Sequence, residues 1–307
     1  MSRPADGIEL RRGSSDYPAC VLELPDPPEV LYVRGDPAVL GVPSISIIGS
    51  RRATPYGIAL AEIAARIAAQ SGIAVVSGGA IGCDQAAGRA ALDEGGRHVA
   101  VLGTGADVVY PRSARSLIER CLGDGGAVVS LEPWGFAPRP WAFPKRNRVI
   151  AALSQSLFVA EAGMPSGTFS TAETAFELGR EVLAAPGSIL SPQSRGSNDL
   201  IASGACCIAD ADALETAIAR IYGLLRFDRP PAPGLPGLDA RAAAAFDALT
   251  ANPMRTEELA GALRMSSLDS MQLLGGLEVQ GIVERLPDGR WSPSKTALLA
   301  QTSLGKT

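Results

Sequence analysis

Short, wholly apolar segments alternate with segments of helical periodicity from Ser44 to about Gly223, and this alternation constrains the fold most. Strand-length runs that are apolar throughout indicate strands buried on both faces, with helices as the covers. The sequence therefore predicts an α/β fold of the Rossmann-like, doubly wound class with a mainly parallel sheet. The predicted strands are Ile45–Ile48, Ile73–Val76, His98–Leu102, Ala127–Val129, Leu157–Ala160, Val182–Ala185 and Ala205–Ile208.

The first 43 residues depart from this pattern because proline and turn residues interrupt it. The apolar piece Val30–Val33 can add an edge strand, but no independent core is visible there. We therefore divide this part of the chain into a Pro-rich N-terminal extension at residues 1–43 and a Rossmann-like domain at residues 44–225.

A second, smaller domain is predicted after a linker at residues 226–237, whose prolines cannot continue a helix. Three helical segments and two short apolar strands follow at residues 238–293, an order typical of a winged-helix domain. This domain carries more carboxylates than cations, and its presumed recognition helix, Ser267–Gln280, has no Lys or Arg. A reader of duplex DNA needs cations against the phosphates, so a protein-contact or accessory module is favoured. Residues 294–307 are expected to form a frayed tail.

Composition excludes several chemistries. His98 is the single histidine and lies in an apolar run, which argues against a Ser-His-Asp triad or a histidine zinc site. The five cysteines have no C-x-x-C spacing and indicate neither a metal cage nor a disulfide framework. The sequence thus gives no reason to expect a cofactor or metal. The net charge of −4 excludes a broad basic surface but permits a focused basic groove.

Hydropathy bears on location. No apolar stretch reaches the roughly 18 residues that a membrane helix needs. Residues 1–12 lack the apolar region of a signal peptide. We therefore expect a cytoplasmic protein without a membrane partner.

Glycines and hydroxyl residues follow four of the predicted strands. Because the carboxyl ends of parallel strands meet at one edge of a sheet, these loops are expected to lie together and to bind phosphate. A single loop of this kind is often a plain turn, and four favour phosphate recognition. A G-x-x-x-x-G-K-[ST] loop is absent and G-x-G-x-x-G does not follow the first strand, so ATP hydrolysis and nicotinamide binding are disfavoured. The loops are Gly49–Arg52, Ser77–Asp84, Gly103–Gly105 and Ser166–Thr171.

The segment Ser130–Arg148 concentrates rings and cations in a chain that is only 5% aromatic. Cations neutralise phosphates and rings stack on unpaired bases, so the segment predicts a groove for single-stranded nucleic acid. The alternative is a Pro-rich flap whose rings pack on the sheet edge and whose charges are solvated. The residues concerned are Trp134, Phe136, Trp141, Phe143, Arg139, Lys145, Arg146 and Arg148.

These motifs together resemble the DNA-processing protein A (DprA, or Smf) family of bacteria, from Tyr17 to about Gly223. The most specific carriers are the Phe-Pro-x-Arg-Asn-Arg run at Phe143–Arg148 and the Ser-Gly-x-Ala-x-Gly loop at Ser77–Gly82. Further carriers are Gly49-Ser50-Arg51, Tyr56-Gly57, Asp84, Tyr110-Pro111, Ser130, Glu132-Pro133, Ser166-Gly167-Thr168, Gly179-Arg180, Ala185-Pro186-Gly187 and Gly196–Ile201.

The resemblance implies a non-enzymatic, homodimeric binder of single-stranded DNA that protects incoming strands in natural transformation and loads the RecA recombinase. It implies phosphate contacts from Ser50, Arg51 and the amides of Ser77–Gly79. It also implies a pocket lined by Lys145, Arg146 and Asn147, and a base contact from the Phe143 ring. For Arg148, the alternative to a DNA contact is a structural ion pair with Glu132 or Asp84, since a buried arginine usually needs a carboxylate partner. The implied DNA-binding residues are Ser50, Arg51, Ser77, Gly78, Gly79, Phe143, Lys145, Arg146, Asn147, Ser166, Gly167 and Thr168.

The sequence departs from the family pattern in the second glycine loop. Cys83 replaces the usual Ile, and Ala87-Gly88 replaces the usual Ala-His pair, which removes a hydrogen-bonding group. The helical N-terminal domain often present in the family is missing or reduced to the Pro-rich extension.

The competing class is a nucleotide-binding phosphoribohydrolase of related fold, with the signature P-G-G-x-G-T-x-x-E. Here Met164-Pro165 stands for Gly-Gly, Thr171 stands where the catalytic Glu belongs, and Glu173 is two positions late. Because a general acid must reach the bond it cleaves, the sequence disfavours this enzyme. A third reading is an interaction scaffold whose sheet-edge pocket holds a small nucleotide.

Overall fold

The computed structural model describes residues 4–223 and 237–301. The first range holds a nine-stranded sheet covered by helices. Its strands are β1 (Gly7–Arg11), β2 (Val30–Gly35), β3 (Ser44–Ile48), β4 (Ala74–Ser77), β5 (His98–Leu102), β6 (Ala127–Ser130), β7 (Ser156–Val159), β8 (Glu181–Ala184) and β9 (Cys206–Cys207). Its α-helices are α1 (Ala19–Leu22), α2 (Pro55–Gln70), α3 (Cys83–Asp93), α4 (Arg115–Gly123), α5 (Ala142–Leu153), α6 (Thr168–Glu177), α7 (Arg195–Ala202) and α8 (Ala211–Tyr222).

The strand order is β1-β2-β6-β5-β4-β3-β7-β8-β9, and the strands from β3 to β9 are all parallel to their neighbours in that set. This confirms the Rossmann-like, doubly wound class. The Val30–Val33 segment, expected at an edge, lies inside the sheet as β2, antiparallel to both β1 and β6. Within residues 4–43, β1 and β2 therefore extend the main sheet, and β1 forms its edge.

Successive side chains of each strand point to opposite faces of the sheet, and on each face they pack with helices in an apolar layer. In β3, Ile45 and Ile47 pack with α2, α3 and α8, whereas Ile48 faces the layer that contains α5 and α6. Ser46, on the α5 side, is fully buried and donates its hydroxyl to the Ile150 carbonyl oxygen at 2.7 Å. Burial on both faces explains why these strands are apolar along their whole length.

Residues 237–301 form a C-terminal unit in which three helices are followed by a two-stranded antiparallel ribbon and then by a fourth helix. This is the order of elements that the sequence predicts, and the winged-helix assignment itself stays a prediction. The last helix, α12, differs from the expected frayed tail, because its Ala297 and Leu298 are buried. The elements are α9 (Ala240–Ala251), α10 (Thr256–Ala262), α11 (Ser267–Val279), β10 (Val283–Arg285), β11 (Trp291–Pro293) and α12 (Lys295–Gln301).

The C-terminal unit rests on α2. The Lys295 ammonium donates to Glu62 Oε1 at 3.0 Å, and Tyr56 and Ala59 belong to the apolar cluster of this unit. Residues 226–236 of the linker predicted at 226–237, and residues 302–307 of the predicted tail, lie outside the described residues. Within the described ranges, no helix is long and apolar enough to cross a membrane.

Candidate nucleic-acid interface

The loops after β3, β4, β5, β6 and β7 meet at the carboxyl edge of the parallel strands, and we call this edge the rim. Contacts between the loops are close. The Cys83 amide donates to the Ser50 carbonyl oxygen at 3.3 Å, and Gly82, with φ +92°, leaves no space for a side chain against that same oxygen. Gly103 is similarly restricted, because a Cβ there would lie 2.7 Å from Cδ1 of Phe143. Glycine at both positions lets three loops pack together.

Arg51, Phe143 and Tyr110 form one group on the rim. The Arg51 guanidinium carbon lies 5.8 Å from the centre of the Phe143 ring, and the Tyr110 ring centre is also 5.8 Å from it. Arg51 and Tyr110 are exposed, and Phe143 is half-buried. The three thus offer a cation and two ring faces to a ligand. Tyr110 was not among the residues assigned from the sequence, although Tyr110-Pro111 is part of the family pattern.

Lys145 and Trp141 form a second cation–ring pair, at the start of α5. The Lys145 ammonium lies 5.9 Å from the Trp141 ring centre, and both side chains are exposed. The same ammonium forms an ion pair with Glu132 Oε1 at 3.2 Å, on a carboxylate that is largely buried. Lys145 is therefore accessible but partly neutralised.

The other tryptophan of the segment Ser130–Arg148, Trp134, packs on the sheet, as expected if the segment is a structural flap. Trp134 packs edge-on against Tyr32 of β2, with ring centres 5.2 Å apart, and donates Nε1 to Glu9 Oε1 at 3.3 Å. Phe136 packs on Trp141 at 5.6 Å. Rings in this segment thus divide between those that pack on the sheet and those that face outward.

Arg146 is buried and not on the surface, in contrast to its assignment to the pocket lining. Its Nη1 donates to the carbonyl oxygens of Gly78, at 2.6 Å, and of Val101. Asp84 Oδ2 accepts from the Gly78 amide at 2.9 Å. Burial lowers the pKa of Arg146 to about 10 and raises that of Asp84, and their mutual attraction opposes both shifts. Since Arg146 stays protonated at neutral pH, the pair fixes the loop after β4.

The ion-pair roles thus differ from the expectation for Arg148. Lys145 pairs with Glu132, and Arg146 is the cation beside Asp84. Arg148 is half-buried and lines a cleft of about 380 Å³ with Arg12 of the N-terminal extension.

The glycine-loop residues are mostly engaged within the protein. Ser77 is fully buried and donates its hydroxyl to the Asp84 carbonyl oxygen at 3.3 Å, and the adjacent Gly78 and Gly79 are also buried. Ser50 is half-buried and its Oγ accepts from the Arg52 amide at 3.0 Å. Of these residues, Ser50 is therefore the one with side-chain exposure toward a ligand.

Asn147 joins α5 to the loop before α6. Its Nδ2 lies 3.3 Å from both the Gly167 carbonyl oxygen and Ser170 Oγ. Ser166 Oγ donates to Thr168 Oγ1 at 2.9 Å and accepts from the Thr168 amide. Gly167 is exposed, Ser166 is half-buried and Thr168 is buried. These residues shape the rim, and the Gly167 backbone is its accessible part.

The departure at Gly88, on α3, has a packing explanation. A Cβ at Gly88 would lie 2.8 Å from Nε2 of His98, so the imidazole from β5 occupies the space that a side chain at position 88 would need. His98 is fully buried, its Nδ1 lies 2.9 Å from the Val75 carbonyl oxygen, and burial lowers its pKa to about 4. His98 is therefore a neutral structural residue.

The positions relevant to the phosphoribohydrolase reading do not form an acid–base site. Thr171 is buried, and Glu173 is exposed farther along α6. The buried carboxylate nearby, Glu161, accepts from the Thr54 amide at 2.8 Å and the Thr54 hydroxyl at 2.6 Å at the start of α2. Among the described residues, no group of three His, Cys, Asp or Glu is placed to hold a metal ion.

Fold and rim together define an α/β protein with a small cationic, ring-bearing surface at the carboxyl edge of a parallel sheet. The family model for DNA recombination-mediator protein A matches residues 10–219, and the chain belongs to that family. The chain is 38% identical over 199 residues to Protein Smf of Escherichia coli K12, covering 65% of this chain and 53% of that protein. It is 40% identical over 189 residues to DNA processing protein DprA of Streptococcus pneumoniae R6, covering 62% and 66%. The chain thus spans between half and two thirds of these relatives.

Two solved structures agree with this assignment. DNA processing protein A from Streptococcus pneumoniae has a TM-score of 0.64 and 36% identity, covering 69% of this chain and 74% of that one. DNA processing protein A from Helicobacter pylori, described for its single-stranded DNA binding mode, has a TM-score of 0.63 and 29% identity, covering 70% and 96%. The resemblance read from the sequence motifs is confirmed.

Proposed function

We propose that this chain binds single-stranded DNA at the rim, without catalysing a reaction, protects incoming strands and loads RecA during natural transformation. The observation that carries the proposal is the Arg51–Phe143 pair, an exposed guanidinium 5.8 Å from a ring centre on an otherwise acidic molecule. We further propose that it acts in the cytoplasm as a homodimer.

The chemistry of the rim supports an unpaired strand. Arg51 and Lys145 can neutralise phosphates, while Phe143, Tyr110 and Trp141 present faces on which bases stack. Stacking of one base contributes about 1–3 kcal/mol by alanine substitution and accepts any base. Bases of a duplex are already stacked, and the chain's net charge of −4 repels a second strand.

Fluorescence anisotropy with a labelled oligonucleotide tests the proposal. We expect binding to single-stranded DNA that weakens steeply with salt, and weaker binding to duplex. Arg51→Ala should lower the affinity several-fold, whereas Arg97→Ala, an exposed arginine before β5 and so at the opposite edge of the sheet, should not. Equal affinity for both DNA forms, or equal effects of the two substitutions, would contradict the proposed site.

The mediator role needs its own measurement, since a strand binder need not load a recombinase. We expect this protein to accelerate RecA-dependent ATP hydrolysis on single-stranded DNA, and Arg51→Ala to reduce that acceleration. DNA binding without any effect on RecA would support the binding of single-stranded DNA at the rim but contradict the loading of RecA.

The absence of catalysis is tested with AMP. Thr171 stands at the position of the signature Glu, so the general acid of the phosphoribohydrolases is missing there. We therefore expect no adenine above background when the protein is incubated with AMP. Release of adenine would favour the phosphoribohydrolase reading.

A further inference from the structure

Helix α11 carries a stripe of exposed apolar side chains in addition to the apolar side that is covered within the described residues. Leu274 and Leu277 are buried in the C-terminal unit, whereas Leu268, Met271 and Val279 expose 65%, 60% and 89% of their surface. At 100° per residue, Leu268 and Val279 fall on the side opposite Leu274 and Leu277. Met271 lies between the two sides, about 60° from Leu268 and about 60° from Leu274. Gln272 is exposed and projects beside Leu268 and Val279, so this side of the helix is mainly, but not wholly, apolar.

Two carboxylates flank this exposed stripe. On the same helical projection, Asp269 lies about 100° to one side of Leu268 and Glu278 about 80° to the other. Both are exposed, and the helix has no Lys or Arg. Gly275 lies within the stripe and Gly276 lies beside Asp269 at its margin. A Cβ built at either meets nothing within 4 Å. The surface is therefore apolar, acidic at its margins and open to a close backbone approach.

Charge decides what can cover such a surface. DNA is excluded by the carboxylates and the missing cations. A second copy would place Asp269 and Glu278 near their own equivalents across a twofold axis, where like charges repel. A basic amphipathic helix satisfies both requirements, since its apolar face can cover the stripe while its Lys and Arg side chains pair with the flanking carboxylates.

We propose that the exposed face of α11 docks a basic amphipathic helix of another protein. The proposal is independent of DNA binding at the rim. In this proposal α11, which occupies the position of a recognition helix, binds protein. Leu268, Met271 and Val279 are the apolar anchors. Asp269 and Glu278 select for a cationic partner.

The probe for this proposal is a labelled helical peptide of leucine and lysine, with leucines along one face, titrated into the full chain without DNA. We expect saturable binding that is weakened at least about tenfold by Met271→Gln combined with Val279→Gln. A peptide with glutamate in place of lysine should bind at least about tenfold more weakly, and Glu278→Gln should reduce that discrimination. Ile189→Gln is the matched control, because Ile189 is 86% exposed but lies in the loop before α7.

Several outcomes would overturn the proposal. These are no peptide binding, equal binding by the double variant, or equal binding of the glutamate peptide. Concentration-dependent self-association that the double variant abolishes would assign the stripe to a second copy. Loss of duplex DNA binding in that variant would assign it to nucleic acid. In each case single-stranded binding at the rim, measured separately with Arg51→Ala, remains an independent result.

Discussion

Arg146 and Asp84 hold the same glycine from opposite sides, the guanidinium at the Gly78 carbonyl oxygen and the carboxylate at the Gly78 amide. Both charged groups are buried. A Cβ at Gly78 would lie 2.7 Å from each of them, so glycine is needed for the arrangement. The family run Phe143–Arg148 and the loop after β4 are therefore parts of one structural unit.

Removing one member of this pair should destabilise the protein. Arg146→Met leaves the Asp84 carboxylate buried without its cation, which costs about 3–5 kcal/mol in comparable cases. Urea unfolding followed by circular dichroism measures the change. Arg146→Met combined with Asp84→Asn should cost less than the sum of the single changes. Additive costs would mean that the two charges do not interact.

The Phe143 ring should contribute to strand binding independently of charge. Phe143→Ala is expected to reduce single-stranded DNA affinity by about 1–3 kcal/mol while leaving the salt dependence of binding unchanged, because no cation is lost. Phe143→Tyr should retain the affinity. The control is Phe176→Ala, an exposed phenylalanine on the last turn of α6, away from the rim. Anisotropy titrations at several salt concentrations provide both quantities, and a thermal melt checks folding.

The Lys145–Glu132 ion pair should restrain DNA binding. A phosphate must compete with the Glu132 carboxylate for the ammonium, so Glu132→Gln is expected to raise single-stranded DNA affinity. The gain should be modest, about 0.2–1 kcal/mol, because Lys145 is solvent-exposed. In the Lys145→Ala background the same change should give a smaller gain. Unchanged or weaker binding by Glu132→Gln would show that the pair does not compete with DNA.

His98 should make stability depend on pH between about 6.5 and 4. Burial lowers its pKa to about 4 in the folded protein, from 6.5 for an unperturbed histidine. Because the unfolded state binds the proton first as the pH falls, stability is lost through this range, by about 3 kcal/mol in total. The raised pKa values of Asp84 and Glu161 act in the opposite direction, so the test compares urea unfolding of the natural chain with His98→Asn at each pH. Parallel stability curves would contradict the assignment.

Much of the fold was predictable because the strands are buried on both faces, and each therefore appears in the sequence as a short run of apolar residues. The interior position of β2 was not, since it depends on pairing such as Tyr32 with Ser130, far apart in sequence. Trp134 and Trp141 likewise share one segment, yet only the first finds a packing partner on β2.

The burial of Arg146 had a readable signal that the motif comparison did not use. Arg146, Val149, Ile150 and Leu153 follow an i, i+3, i+4, i+7 spacing, which places the arginine on the apolar side of α5. Lys145 and Arg148 share a different side of that helix. Periodicity thus distinguishes the structural cation from the accessible ones, where the family pattern names them together.

Helix α2 connects the rim to the C-terminal unit. It begins four residues after Arg51, and midway along its length Glu62 receives Lys295 from the C-terminal unit. In the proposed complex, the DNA strand at the rim and the protein bound to α11 would be connected through this one helix. The packing of the C-terminal unit on α2 would then set the distance and the orientation between the two bound molecules.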